Sequence, residues 1–129
     1  MSAGRRPQNG MSVLLLDDDA DFRSALAETL RYEGHRVAEF AAPGEVPDVR
    51  SLDGVEVVLA DYHMPGQNGL QFADKFHAAH PEVPVILITS DPSRRIEMAV
   101  RARSYATLHR KPFTFAELQR LIEKTAGAA

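Results

Sequence analysis

The segment at residues 55–69 most constrains the fold of this chain, because it joins a buried strand to an acid and a turn. Residues 55–60 are mostly apolar and rich in β-branched side chains, a pattern typical of strands buried on both faces of a parallel sheet. Asp61 follows this strand directly, and a loop rich in glycine and proline comes next. Because open α/β sheets bind their ligands at the carboxyl ends of the strands, we predict that Asp61 is the reactive residue.

Strand-like and helix-like segments alternate along the rest of the chain. Nearly continuous apolar runs at residues 13–16, 83–89 and 106–109 predict further buried strands, and the alternating residues 36–40 predict a more exposed one. Helical patterns lie between and after them, so a strand followed by a helix occurs five times. This alternation predicts an α/β fold of the doubly wound type, with a five-stranded parallel sheet and helices on both faces.

Local signals mark the ends of the first and last helices. Asp19 is a candidate N-cap of the first helix, and Gly34 is a candidate C′ residue at its other end. Thr114 and Glu117 have the spacing of a capping box, which predicts that the last helix begins directly after Thr114.

Two other crossovers carry less regular signals. Pro43 and Pro47 make any helix in the second crossover short or distorted. Asp91 followed by Pro92 predicts the start of a weakly amphipathic helix that runs to about Arg103.

The composition indicates one globular domain and excludes several classes of protein. The chain has 129 residues, no cysteine and a formal net charge of -3. The charge argues against a direct nucleic-acid binder, and the absence of thiols excludes disulfides, thiolate catalysis and cysteine-based zinc sites. No run approaches the roughly 18 apolar residues of a membrane span, so we expect a cytoplasmic protein without a membrane partner. We expect residues 1–11 to be a disordered lead-in, residues 12–125 to form the domain and residues 126–129 to be a tail.

Polar groups follow four of the predicted strands. They are, in chain order, Asp17 and Asp18, Asp61, Thr89, and Lys111. If the first and third strands are neighbours, their three carboxylates share one crevice and repel each other, and a divalent cation is the simplest relief. Such oxygen ligands select Mg²⁺ or Mn²⁺ over zinc. Asp61 is then a candidate nucleophile for a phosphoryl group, with Lys111 on the side opposite the cation.

Four motifs occur along the chain in a characteristic order and spacing. They are Leu14-Leu15-Leu16-Asp17-Asp18-Asp19, Asp61-x-x-Met64-Pro65-Gly66-x-x-Gly69, Ile86-Leu87-Ile88-Thr89-Ser90 and Lys111-Pro112-Phe113. In this order the chain resembles the response-regulator receiver domains of bacterial two-component signalling, over about residues 12–124. The resemblance implies a flavodoxin-like sheet with the strand order 2-1-3-4-5.

The same resemblance implies roles for the acidic residues. Asp61 is the phosphoacceptor, and its phosphorylation depends on Mg²⁺. Asp18 binds the metal directly and Asp17 binds it largely through water. The backbone carbonyl of His63 completes the protein ligands. His63 and Asp91 also border the site, where in this family such positions tune the loss of the phosphate.

Further roles follow from the resemblance for the remaining motifs. Thr89 offers its hydroxyl to the phosphoryl group, and Lys111 forms an ion pair with it. The Lys111–Pro112 peptide bond is expected in the cis form. The donor is a sensor histidine kinase or a histidine phosphotransfer protein. The chain is then a signalling domain that accepts and slowly loses its own phosphoryl group, and not an enzyme.

The sequence departs from the family pattern at two places, and both lie outside the residues proposed to carry the phosphoryl chemistry. Leu108 occupies the position where many receivers carry an aromatic ring that swings inward on activation. Ser104 and Tyr105 replace the common Gly-Ala pair before the fifth strand. We therefore hypothesise that Thr89 acts on the surface of the domain through a loop shift alone.

Arginines are concentrated around the predicted fourth helix and fifth strand. They are Arg94, Arg95, Arg101, Arg103 and Arg110. This surface is either an ordinary solvated face or a docking surface for a downstream acidic partner or a second copy of the domain. We interpret the scattered histidines, His77 and His80 among them, as surface residues and not as ligands of a metal, and His63 is the exception only because of its place beside the site.

Two alternative functions remain open at this point. The first is a haloacid-dehalogenase-like phosphatase, which also combines an aspartate nucleophile, Mg²⁺, a hydroxyl and a lysine. Against it, position 21 is Asp where that family has Thr or Val, and no acidic pair follows Lys111. The second is a pseudo-receiver, a binding module that keeps the fold without being phosphorylated. The complete set of acids together with Lys111 argues against it.

Overall fold

The structure, a computed structural model, describes residues 10–125 of the chain. Residues 1–9 of the predicted lead-in and the whole predicted tail, residues 126–129, lie outside the described residues. Met11, which falls in the predicted lead-in, is hydrogen-bonded through both its backbone N–H and its carbonyl oxygen. Its N–H donates to His35 Nδ1 at 3.0 Å, and its carbonyl accepts from the Arg36 N–H at 2.9 Å.

Five strands and four α-helices follow one another along the described chain. The strands are β1 (Ser12–Leu16), β2 (Arg36–Phe40), β3 (Val57–Asp61), β4 (Val85–Thr89) and β5 (Ala106–Arg110). The helices are α1 (Ala20–Tyr32), α2 (Gly69–Ala79), α3 (Arg94–Arg101) and α4 (Phe115–Thr125). Within residues 10–125, no helix is both long and apolar enough to cross a membrane.

All strand pairs are parallel, and the order across the sheet is β2-β1-β3-β4-β5. The predicted fold class and strand order are therefore confirmed. The register places Leu16 beside Ala60, Asp61 beside Ile88, and Thr89 beside Arg110. The carboxyl ends of β1, β3, β4 and β5 consequently meet along one edge of the sheet.

The core has two layers, because successive strand residues point to opposite faces of the sheet. One face packs against α1 and α4 through Leu15, Leu59, Ile88, Leu30 and Leu118. The other packs against α2 and α3 through Leu14, Val58, Leu87, Phe76 and Val100. Strands β1, β3 and β4 are buried on both faces, whereas the edge strand β2 is partly exposed, as its alternating sequence predicts.

The predicted caps of the first and last helices are present. The Asp19 carboxylate accepts from the Phe22 N–H at 3.1 Å, and Gly34 has the positive φ of a C′ residue, 101°. Thr114 and Glu117 cap one another reciprocally at 2.8 and 3.1 Å. These contacts satisfy N–H and C=O groups that helix ends leave unpaired.

The second crossover has no α-helix and instead contains the 3-10 turns Pro43–Glu45 and Val49–Ser51. The prediction that Pro43 and Pro47 distort this segment is confirmed. A prolyl ring removes a donor and blocks the preceding turn, so a regular helix cannot run through both positions.

The predicted start and character of α3 are wrong. Ser93 is the N-cap, accepting from the Ile96 N–H at 3.2 Å, and the helix begins at Arg94. Asp91 lies two residues before this cap, and its N–H donates to Thr89 Oγ1 at 3.1 Å, which ties it to the end of β4. The helix is also strongly amphipathic, since Ile96 and Val100 are buried while its arginines are exposed.

The interpretation of His80 as a surface residue is wrong as well. His80 is buried, with its Nε2 at 2.6 Å from the Val49 carbonyl and its ring stacked on Phe76 at 4.6 Å. The sequence offered no sign of this, because the contact with Val49 joins residues 31 positions apart in the chain. His80 therefore links the end of α2 to the irregular second crossover.

Candidate functional site

Three carboxylates meet where β1 and β3 end. Asp17 and Asp18 directly follow β1, and Asp61 is the last residue of β3. One oxygen from each carboxylate lies within 4.8 Å of the others. Asp17 is 1% exposed and Asp61 is 9% exposed, while Asp18 faces solvent. The structure thus brings together the three acids that the sequence pattern singled out.

The loop after β3 holds Asp61 in a defined orientation. Asp61 Oδ1 accepts from the His63 N–H at 3.1 Å, so the first turn of the loop folds back onto the carboxylate. The Gly69 N–H donates to the Tyr62 carbonyl at 2.8 Å. A Cβ at position 69 would overlap the Asp61 carbonyl oxygen, so only glycine lets α2 begin this close to the end of β3.

Lys111 faces the carboxylates from the far side of the pocket. Its Nζ lies 3.0 Å from Asp17 Oδ2 and 3.4 Å from Asp61 Oδ2. The Lys111 N–H donates to the Thr89 carbonyl at 2.8 Å, which fixes the start of this side chain beside β4. The Lys111–Pro112 bond is cis, as expected. The lysine is therefore aimed at the acids and not at bulk solvent.

Thr89 is fully buried at the end of β4, one position beyond the residue that pairs with Asp61. Its Oγ1 accepts from the Asp91 N–H at 3.1 Å. Because a hydroxyl is both a donor and an acceptor, this bond leaves the hydroxyl proton free to be donated. Thr89 can thus offer one hydrogen bond to a group that forms on the neighbouring strand.

The electrostatics of the pocket disfavour a lone Asp61 charge. Burial raises the pKa of Asp61, the Asp17 carboxylate raises it further, and Lys111 and the His63 N–H offset only part of this rise. Burial acts to lower the pKa of Lys111, but its hydrogen bonds and attraction to Asp17 and Asp61 outweigh burial and raise it. Three carboxylates against one ammonium leave excess negative charge, which suits a hard divalent cation bound through oxygen.

Two side chains of α1 belong to the site although the sequence reasoning did not assign them to it. The Phe22 ring centroid lies 4.1 Å from Lys111 Nζ. Arg23 Nη1 donates to the Asp17 backbone carbonyl at 2.7 Å and Nε to Glu39 at 3.3 Å. Their positions three and four residues after the Asp19 cap place both on the first turn of α1, beside the end of β1. The spacing of Phe22 and Arg23 from the predicted cap is the one feature of the sequence that could have placed them at the site.

Arg103, one of the five arginines of the possible docking surface, is bound within the domain itself. Arg103 binds the two Asp74 oxygens through Nε at 2.8 Å and Nη2 at 2.9 Å, and the Tyr105 hydroxyl donates to the same carboxylate. This network ties α2 to the segment between α3 and β5. The other four arginines of the group are exposed, and within residues 10–125 none of them forms an ion pair: Arg94, Arg95, Arg101 and Arg110.

Comparison with known families agrees with this geometry. The model of the response regulator receiver domain matches residues 13–123. The chain therefore belongs to the receiver domain family of two-component response regulators, a family of signalling domains that are phosphorylated. Neither alternative, the phosphatase nor the pseudo-receiver, is favoured by these findings.

Curated relatives resemble the chain over most of its own length. The C4-dicarboxylate transport transcriptional regulatory protein DctD of Rhizobium meliloti (strain 1021) is 41% identical over 91 residues, covering 70% of this chain and 19% of that protein. The response regulator protein FleR of Pseudomonas aeruginosa is 33% identical over 117 residues, covering 88% of this chain and 24% of that protein. The chain thus spans between about a fifth and a quarter of these relatives.

Solved structures share the fold. The chemotaxis protein CheY4 of Vibrio cholerae superposes with a TM-score of 0.81 at 21% identity, covering 90% of this chain and 98% of that one. A receiver domain protein of Methanospirillum hungatei JF-1 gives a TM-score of 0.80 at 23% identity, covering 89% and 92%. At this identity the likeness bears on the architecture alone.

Proposed function

We propose that Asp61 is the phosphoacceptor of this receiver domain. The observation that carries the proposal is the position of Lys111, whose ammonium lies within 3.4 Å of the buried Asp61 carboxylate and 3.0 Å of Asp17. A cation fixed beside a buried acid can stabilise the negative charge of a phosphoryl group attached to that acid.

The acidic cluster is the proposed magnesium site. Asp17, Asp18 and Asp61 supply oxygens close enough to one another to share one ion, and the backbone carbonyl of His63 is the remaining proposed protein ligand. The donor set fits, because it contains only oxygen and carries excess negative charge. A bound Mg²⁺ would neutralise charge on the oxygens of the transferring phosphoryl group.

The proposed transfer step uses the side chains at the sheet edge. One Asp61 oxygen attacks phosphorus, a new O–P bond forms, and the N–P bond to the donor histidine breaks, the imidazole nitrogen keeping the electron pair. Lys111 then pairs with a phosphoryl oxygen, and the Thr89 hydroxyl donates to another. Because the new group itself carries about -1.5 to -2 charges, both side chains bind it better in one arrangement of the β4–α3 loop.

The partners follow from this role. A sensor histidine kinase or a histidine phosphotransfer protein is the proposed donor, and the exposed arginines at residues 94–110 are the proposed contact for a downstream acidic partner or a second copy. Leu108 is half-buried on this surface and packs with the α2–α3 layer of the core. We propose that Thr89 shifts the loop before α3 without an aromatic partner at position 108.

The proposal is tested by incubating the chain with Mg²⁺ and acetyl phosphate and measuring its intact mass. We expect one slowly lost phosphoryl adduct on the wild type and on the control Asp53→Asn, whose side chain is exposed, and none on Asp61→Asn. Catalytic turnover with label on Asp17 would instead indicate the phosphatase. Absence of any adduct on the wild type would indicate the pseudo-receiver and refute the proposal.

A further inference from the structure

The ring of Phe22 is the third group that contacts the Lys111 ammonium, after the two carboxylates. Lys111 Nζ lies 4.1 Å from the centre of this ring, well within the range of a cation–π interaction. The Lys111 side chain is only 16% exposed, so water screens this attraction weakly. The Phe22 contact is therefore an energetically significant part of the lysine's surroundings.

Phe22 is itself held in place from two directions. Its backbone N–H is bound by the Asp19 carboxylate at the start of α1. Its ring meets Phe113 edge to face, with centroids 5.9 Å apart and planes at 87°, and Phe113 is in turn 5.3 Å from the His109 ring. The ring cannot leave Lys111 without disturbing the helix cap or this aromatic row.

We propose that Phe22 is a positioning residue, whose aromatic face holds the Lys111 ammonium toward Asp61 during phosphoryl transfer. The inference rests on the proposed function of Asp61 and assigns a role to a residue outside the four motifs. It concerns the attraction between ring and ammonium, which an aliphatic side chain of similar size does not supply.

The need for such a contact follows from the competition for Asp17. The same carboxylate binds Lys111 at 3.0 Å and belongs to the cluster that fits a divalent cation. A cation shared by Asp17, Asp18 and Asp61 would weaken the pull of these acids on Lys111 and would repel its charge. The ring of Phe22 is not a metal ligand, so a filled cluster would leave its attraction for the ammonium in place.

The contact itself is tested in solution by NMR on protein labelled with ¹³C at the lysine ε carbons. The chain has only three lysines, so Lys75, Lys111 and Lys124 give three separable signals, and loss of one in Lys111→Met assigns it. We expect the ε protons of Lys111 to be shifted upfield by the ring current of Phe22, and to stay so when Mg²⁺ is added. A Lys111 signal at the ordinary lysine position would overturn the inference.

The energetic role is tested by replacing Phe22 with phenylalanines that carry increasing numbers of fluorine atoms, which weaken the ring quadrupole at nearly constant shape. We expect the rate of Asp61 phosphorylation by acetyl phosphate to fall stepwise, by between about two- and tenfold overall. Phe22→Leu should match the most fluorinated ring, and Phe22→Tyr should keep the wild-type rate. The same series at Phe115, a half-buried phenylalanine of α4, is the control and should leave the rate unchanged.

The outcomes separate this inference from the proposed function. A wild type that is phosphorylated on Asp61, with equal rates across the Phe22 series, would refute the positioning role and leave the function intact. A wild type that takes no phosphoryl group, with the upfield Lys111 signal present, would refute the function instead. Because the fluorinated rings keep the volume of phenylalanine, the test stands even where Phe22→Leu fails to fold.

Discussion

The contact between Gly69 and the end of β3 leads to a sharp prediction about stability. Gly69 is the first residue of α2, and a Cβ built on it would lie 3.0 Å from Leu87 Cδ2, 3.1 Å from the Asp61 carbonyl carbon and closer still to the carbonyl oxygen. Two of these three neighbours are backbone atoms, which cannot rotate away. In Gly69→Ala the start of α2 must therefore move away from β3.

The expected cost is that of overpacking in a close-packed interior, about 1–3 kcal/mol. Alanine regains part of this through its higher helix propensity, at most about 1 kcal/mol. A net loss of about 1–2 kcal/mol corresponds to a fall in Tm of roughly 3–10 °C for a domain of this size. Because the displaced start of α2 is bonded through the Gly69 N–H to the carbonyl of Tyr62, the residue after Asp61, the rate of phosphorylation should fall with the stability.

Gly44→Ala is the matched control, since no atom lies within 4 Å of a Cβ at that position. Thermal unfolding followed by circular dichroism, and phosphorylation by acetyl phosphate, should be measured on the two variants and the wild type. We expect Gly44→Ala to unfold within about 0.5 kcal/mol of the wild type, as surface substitutions usually do. If Gly69→Ala unfolds at the wild-type temperature, the close approach of α2 to Asp61 is not a packing constraint and this reasoning is wrong.

Three further predictions concern charge, metal and capping. Because burial and Asp17 raise the pKa of Asp61, folding stability falls as the pH rises from the ordinary aspartate value of about 3.9 through the raised one. Asp61→Asn should therefore have a higher Tm than the wild type at about pH 7. At about pH 3 the two Tm values should be similar, because the side chain at position 61 is then uncharged in both proteins. At concentrations above its Kd, Mg²⁺ should raise the Tm of the wild type in proportion to the logarithm of the Mg²⁺ concentration. The Tm of Asp18→Asn should rise much less. An equal rise in the two proteins would exclude Asp18 as a ligand. In urea unfolding, the free energy of unfolding of Ser93→Ala should be about 1 kcal/mol lower than that of the wild type, because this change removes the N-cap of α3. Asp91→Ala leaves that cap in place and should not show this loss.

Much of the fold was predictable because strong local patterns carry it. The apolar runs of β1, β3 and β4 are buried on both faces, and the caps at Asp19 and Thr114 are formed by residues that lie close in the chain. Such features depend on neighbours within a few positions, so composition and spacing reveal them. The start of α3 was missed because Asp91 and Ser93 are both good caps, and the local sequence does not show which side-chain oxygen reaches the first N–H groups of the helix.

The candidate site likewise has features that the sequence predicts and features that depend on the tertiary structure. Its acids and its lysine were identified because each follows a strand, and the ends of parallel strands meet at one edge of the sheet. Their separations, the burial of Asp17 and the rise in the pKa of Asp61 depend on how closely β1, β3 and β5 deliver these groups.

What the chain alone determined is the set of elements and the chemical groups at their ends, because helix and strand periods and capping residues act over short distances. What only the tertiary structure decided is which distant groups touch: Phe22 with Lys111, Arg103 with Asp74, and His80 with Val49. These contacts join residues that are at least 29 positions apart in the chain. Their formation depends on the packing of whole layers against the sheet, which no local pattern of residues encodes.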